Sequence, residues 1–219
     1  MSPYPTAISV SIVTDDTAVT LDGVLDIPPD PAGVVIFAHG RGSNRMSPRN
    51  ISVARQLNAA GIATLLFDLL TDAEASSPHH GQDIALLANR VQHALDWTAI
   101  NTQTAPLPKG LFGAGTGAAA ALETAARGWG RVEALVARGG YPDLAQAALP
   151  RVSAPTLQIV AELDRNMLDM GRMAKAMLGR DSALRVVPGA SALFEEPGAL
   201  DMVGRHSVEW FTTHLRGSR

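Results

Sequence analysis

Short apolar runs, rich in β-branched residues or bounded by turn residues, recur along this chain at Val34 to Ala38, Ile62 to Phe67, Gly110 to Phe112, Val132 to Ala137, Thr156 to Val160 and Leu184 to Val187. A strand that is apolar on both sides of its pleat must be covered on both faces, so these runs predict a parallel sheet between two helical layers. The intervening segments have the period and punctuation of helices. Over Gln82 to Thr98, Ile84, Leu87, Ala88, Val91 and Leu95 form one apolar stripe, leaving Arg90, Gln92 and Asp96 for the other side. Over Pro48 to Ala60, Ser47 supplies an N-cap, Pro48 the first helical position and Gly61 the stop. The stretch Gly198 to Leu215, with Leu200, Val203, Val208, Trp210 and Phe211, predicts a closing helix. Ahead of them, Ala7 to Val13 and Ala18 to Ile27 alternate with a period of two around Asp15-Asp16, which predicts an antiparallel N-terminal hairpin on the leading edge. The fold class is therefore α/β, a doubly wound three-layer sandwich with a mostly parallel sheet.

The 219 residues suit a single domain, 1–219, large enough to hold a core and a pocket. A net charge of -3 with 18% charged residues provides no basic face for nucleic acid and no polybasic segment for a membrane surface, leaving a small molecule as the expected partner. No apolar stretch approaches the ~20 residues of a membrane span, and the N-terminus lacks a positively charged region followed by a long apolar run, so a cytoplasmic location is expected. The chain has no cysteine, which removes disulfides, thiolate metal sites and a cysteine nucleophile. His79-His80 has no third ligand at metal-binding spacing, and the Gly113 to Gly117 turn lacks the third glycine of a dinucleotide loop; neither a metal nor a cofactor is expected. Composition does not set the oligomeric state.

Three landmarks follow one another in a telling order: His39-Gly40-Arg41-Gly42-Ser43 after a strand, Gly113-Ala114-Gly115-Thr116-Gly117 between a strand and a helix, and Leu163-Asp164 after a later strand. Together they resemble the α/β-hydrolase fold, and within it the small dienelactone-hydrolase-like esterases. The resemblance spans nearly the whole chain, including Ser47-Pro48-Arg49-Asn50 and Phe194-Glu195-Glu196-Pro197. It implies a Gly-x-Ser-x-Gly elbow whose serine stands above the sheet on a sharp turn. Here the nucleophile position is Gly115, which offers no attacking atom, and the histidine position, just before Leu193, is Ala192. Asp164 takes the place of the triad acid, and the N–H groups of Arg41 and Thr116 take the places of the oxyanion donors.

The resemblance thus implies an ester or lactone hydrolase ancestry with an incomplete triad. Serine to glycine and histidine to alanine both remove bulk at facing positions, so a diverged or redesigned scaffold with an enlarged pocket for a small, largely apolar molecule is one reading. His39, Gly40, Met46, Tyr141, Met167 and Leu193 are its expected walls, and Glu162, in an expected apolar surround, is the candidate base for proton transfer. A catalytically dead pseudoenzyme is a second reading. A residual esterase working through Ser43 or Ser191 is a third, although neither occupies an elbow. His79, His80, His93, His206 and His214 fall in or before surface helices and read as structural or solvated.

Overall fold

The computed structural model describes residues 7–14, 19–77 and 79–215. One eight-stranded sheet runs through the molecule in the order β1-β2-β4-β3-β5-β6-β7-β8, with β1 at Ile8–Val13, β2 at Thr20–Asp26, β3 at Val34–Ala38, β4 at Ala63–Phe67, β5 at Lys109–Ala114, β6 at Ala134–Arg138, β7 at Thr156–Ala161 and β8 at Ser182–Val187. β1 pairs antiparallel with β2, and β2 antiparallel with β4; every other neighbouring pair is parallel. This is the expected mostly parallel sheet with an antiparallel N-terminal start. The turn predicted at Asp15-Asp16, and Ala18, lie outside the described residues.

The pleat sorts the strand residues between two cores. Ile36, Ala38, Leu65, Phe67 and Leu111 face one layer, built from α3 (Ile84–Ile100), α4 (Thr116–Arg127) and the Ala174 end of α5 (Arg165–Met177). Val35, Phe37, Leu66, Phe112 and Ala114 face the other, where α1 (Pro48–Ala59) contributes Val53 and Leu57, and α6 (Ala199–His214) contributes Val203 and Phe211. β3, β4 and β6 are buried along their whole length, which is why they carry no polar alternation. Among the described residues no helix is long and apolar enough to cross a membrane.

Two local expectations change. The sequence stripe leaves Arg90 on the outer side of α3, whereas it is fully buried. Its Nη1 donates to Thr14 Oγ1 at 2.8 Å and its Nη2 to Glu74 Oε1 at 2.9 Å, Glu74 belonging to the short helix α2 (Asp72–Ala75). The chain before α3 folds over that side of the helix, and an ion pair makes the burial tolerable. The strand read as ending at Ala137 runs one residue further, so that a charged residue, Arg138, closes it.

Candidate functional site

The landmarks meet at the C-terminal ends of β3, β5, β6 and β7, the edge where sheets of this class bind ligands. Between β5 and α4 the chain turns at Gly115, with φ +56° and ψ -127°. The flanking glycines are there for steric reasons. A Cβ on Gly113 would lie 2.4 Å from Ala118 Cα, and one on Gly117 would lie 2.2 Å from the Ala38 carbonyl oxygen, so α4 can pack this tightly only with hydrogen at both positions. Gly115 differs, because a Cβ there would meet nothing nearer than Gly40 Cα at 3.6 Å. Only the backbone conformation is glycine-like at the tip of the turn; space for a side chain is present.

The tip opens into a cavity of about 730 Å³. Gly115, Ala192 and Asp164, the three triad positions implied by the resemblance, all line it, as do Gly40, Arg41 and Thr116. Tyr141, Met167 and Leu193 complete the part of the wall that the sequence reading anticipated. Asp164 Oδ1 accepts the Met167 N–H at 3.2 Å, so the carboxylate serves as the N-cap of α5. The N–H of Arg41 is donated to Thr116 Oγ1 at 3.0 Å, so a would-be oxyanion donor is engaged within the protein. The Arg41 side chain lies along Gly81, where an added Cβ would sit 2.7 Å from its Cγ.

His39, Met46 and Glu162 are not brought to this cavity. The buried His39 ring lies on the far side of Gly40, where it borders a separate space of about 460 Å³. Its Nε2 accepts the Leu69 N–H at 2.9 Å and its Nδ1 lies 3.0 Å from the Gly40 carbonyl oxygen, an arrangement that fits a neutral ring donating from Nδ1. Burial pushes its pKa below the ordinary 6.5, against smaller opposing effects of the Gly40 carbonyl and Asp68. Met46 is 60% exposed in the turn leading to α1. Glu162 stands in solvent beyond the end of β7, its Oε2 accepting the Gly189 N–H at 2.7 Å. The apolar surround expected for Glu162 is absent because the residue lies one position past the end of β7, in the exposed turn that leads to α5.

The wall is also less apolar than expected, because arginines enter it from elements the sequence reading did not connect. Arg138 is 8% exposed, its guanidinium 5.9 Å from the Phe112 ring centroid, and its Nη1 is enclosed without a hydrogen-bond partner among the described residues. Burial and the nearby Arg49 guanidinium push the Arg138 pKa down to about 10, which leaves it charged at neutral pH. Arg49, at the start of α1, faces the same cavity and reaches the exposed Glu195 at 3.5 Å. Asn50 lines it as well and is buried, with Oδ1 unpartnered among the described residues. The signal that could have revealed Arg138 is an arginine ending an otherwise apolar buried strand, directly opposite Ala114 in the β5/β6 register.

No protein-family model matches the sequence. Over 97% of this chain and 100% of the other, the structure superimposes on the crystal structure of a dienelactone hydrolase from Anabaena variabilis with a TM-score of 0.94 and 47% identity. Est1E from Butyrivibrio proteoclasticus matches 94% of this chain and 98% of its own with a TM-score of 0.77 at 15% identity, a likeness of fold alone. Two Mycobacterium tuberculosis proteins, named provisionally as phosphoribosyl transferases, are 49% identical over 199 residues, or 91% of this chain. That match takes in 45% of each relative, so the chain spans about half the length of these curated relatives. On identity across essentially the full length of a solved member, the chain belongs to the dienelactone hydrolase family of the α/β-hydrolase fold.

Proposed function

We propose that this chain is a ligand-binding member of its family, a hydrolase scaffold that receives a small molecule at the ends of the strands but does not cleave esters through a serine triad. The observation carrying this reading is Gly115 at the tip of the elbow. The turn that would raise a nucleophile above the sheet is intact, with φ +56°, and has no side-chain atom to attack with. A base is lacking as well, since no histidine is among the described residues lining the cavity. Ser43 and Ser47 reach its wall, but Ser47 Oγ caps α1 by accepting the Asn50 N–H at 3.5 Å, and Ser43 lies in the turn closed by its own N–H on the Gly40 carbonyl at 3.1 Å. Neither hydroxyl has a base to activate it.

The transferase in the names of the mycobacterial relatives belongs to proteins about twice the length of this match. We assign that activity to the portion of those proteins outside the match, since the matched portion has the hydrolase fold. The test is an assay with p-nitrophenyl acetate. The expected result is turnover no faster than a buffer and inert-protein control, with no acyl adduct by mass spectrometry. A burst of nitrophenol with a covalent adduct would overturn the proposal.

A further inference from the structure

An arginine buried in a cavity wall without a hydrogen-bonding or ionic partner is an expensive residue to keep unless something else pairs with it. Arg138 is in that position. It is more than nine-tenths buried, with Nη1 enclosed and unpartnered among the described residues, and it lines the cavity beside Arg49. A second feature converges on the same place. Helix α4, 12 residues long, has Gly115 as an N-cap with no side-chain cap, and its first residue, Thr116, lines the cavity, so the positive end of its dipole lies at the cavity wall. Gly115 itself donates its N–H to the Arg138 carbonyl at 3.3 Å, which holds the helix start and the arginine at one level.

We infer that the inner end of this cavity, formed by Arg138, Arg49 and the start of α4, is a site for the phosphate group of a small phosphate monoester. The inference rests on reading the cavity as a binding site, and it names the chemical class of ligand. Three arginines, Arg41, Arg49 and Arg138, face one carboxylate, Asp164, which is already engaged as the cap of α5, while the Glu195 partner of Arg49 lies at the exposed rim. The local surplus of positive charge calls for more than one negative charge. The donors also outnumber what a carboxylate can accept: two guanidinium forks beside the positive end of the helix suit three terminal oxygens better than two. Tyr141, Leu144 and Leu193, each partly exposed at the cavity wall, give the remainder of the molecule an apolar surface to lie against.

The test measures thermal stability of the full chain against inorganic phosphate, with sodium chloride at matched ionic strength and with sodium acetate. Phosphate is expected to raise the melting temperature in a saturable way and chloride not to, with acetate clearly weaker. Arg138→Met should weaken the phosphate response at least about tenfold, the loss typical of removing a charge-assisted pair, and Arg49→Gln should weaken it less. If Arg138→Met does not fold, Arg138→Lys takes its place and should show an intermediate response, keeping the charge but losing the fork. Identical melting curves in phosphate and chloride would overturn the site. So would an Arg138 variant that responds like the parent, and acetate matching phosphate would overturn the ligand class. None of these readouts depends on ester turnover, so an active esterase and a failed phosphate site are distinguishable results.

Discussion

The N–H of Gly115 donates to the carbonyl oxygen of Arg138 at 3.3 Å, one step beyond the pairing of Ala114 with Arg138 in the sheet. This bond fixes the elbow tip against the end of β6 independently of any side chain at position 115. The turn therefore does not need a serine to hold its shape, and a serine placed there would arrive in a preformed conformation.

Introducing Gly115→Ser together with Ala192→His should give measurable hydrolysis of p-nitrophenyl acetate. Asp164 lines the same cavity, and the added Cβ meets only Gly40 Cα, at 3.6 Å. Each single change should do little, because nucleophile and base act as a unit. The serine would carry the cost of a positive φ, about 1 to 3 kcal/mol of stability, readable by urea denaturation. A folded double variant as inactive as the parent would show that the arrangement around Asp164 does not orient a histidine.

Alanine at Gly113 or Gly117 should be far more damaging than alanine at Gly61. At the first two, the new methyl would lie 2.4 Å from Ala118 Cα and 2.2 Å from the Ala38 oxygen, and both obstacles are backbone. Overpacking of that kind should cost about 3 kcal/mol or more, or prevent folding. At Gly61, with φ +79° and nothing within 4 Å, only the backbone conformation resists, for about 1 kcal/mol. Chemical denaturation of the three variants checks the ranking, and equal costs would refute the close-approach argument.

How far the sequence could be read follows from which forces each feature obeys. The sheet was legible because burial on both faces writes itself as uninterrupted apolar runs such as Val34 to Ala38. The elbow was legible because close helix approach demands glycine at fixed spacing. Glu162 and Arg138 were not, for one shared reason: where a strand ends, what covers a side chain comes from segments distant in sequence. Arg138, still inside β6, is covered, whereas Glu162, one residue past the end of β7, is exposed, and neither sequence neighbourhood records which. Arg90 was misread on similar grounds, because what covers α3 there is a segment distant in sequence, including Thr14 some 76 residues away.

His39 should make the protein sensitive to mild acid. Burial lowers its folded-state pKa below 6.5, so between the two values the unfolded chain takes up a proton that the folded one refuses. Its contribution to stability is complete above about pH 6.5 and declines as the pH falls below that value. Urea midpoints measured from pH 8 to pH 5 should fall for the parent, and His39→Gln should fall less over the same range. A parallel pH profile in the variant would assign the acid sensitivity to other groups.

Arg138→Met should make the ligand-free protein more stable, the reverse of what a large change in the interior usually does. Methionine fills much of the same volume, and its flexible thioether adapts to the space beside Phe112. The substitution removes a guanidinium whose Nη1 is enclosed without a partner among the described residues and which the Arg49 guanidinium repels. The effective desolvation penalty of a single buried ion is several kcal/mol, and the substitution removes it. The contact of Arg138 with the Phe112 ring, at 5.9 Å, offsets part of that gain, about 0.5 to 1 kcal/mol. A rise in the urea midpoint, together with a lost response to phosphate, would mark Arg138 as a residue retained for binding at a cost to the fold. A fall of several kcal/mol would mean that the guanidinium holds the end of β6 together, and that its burial is structural.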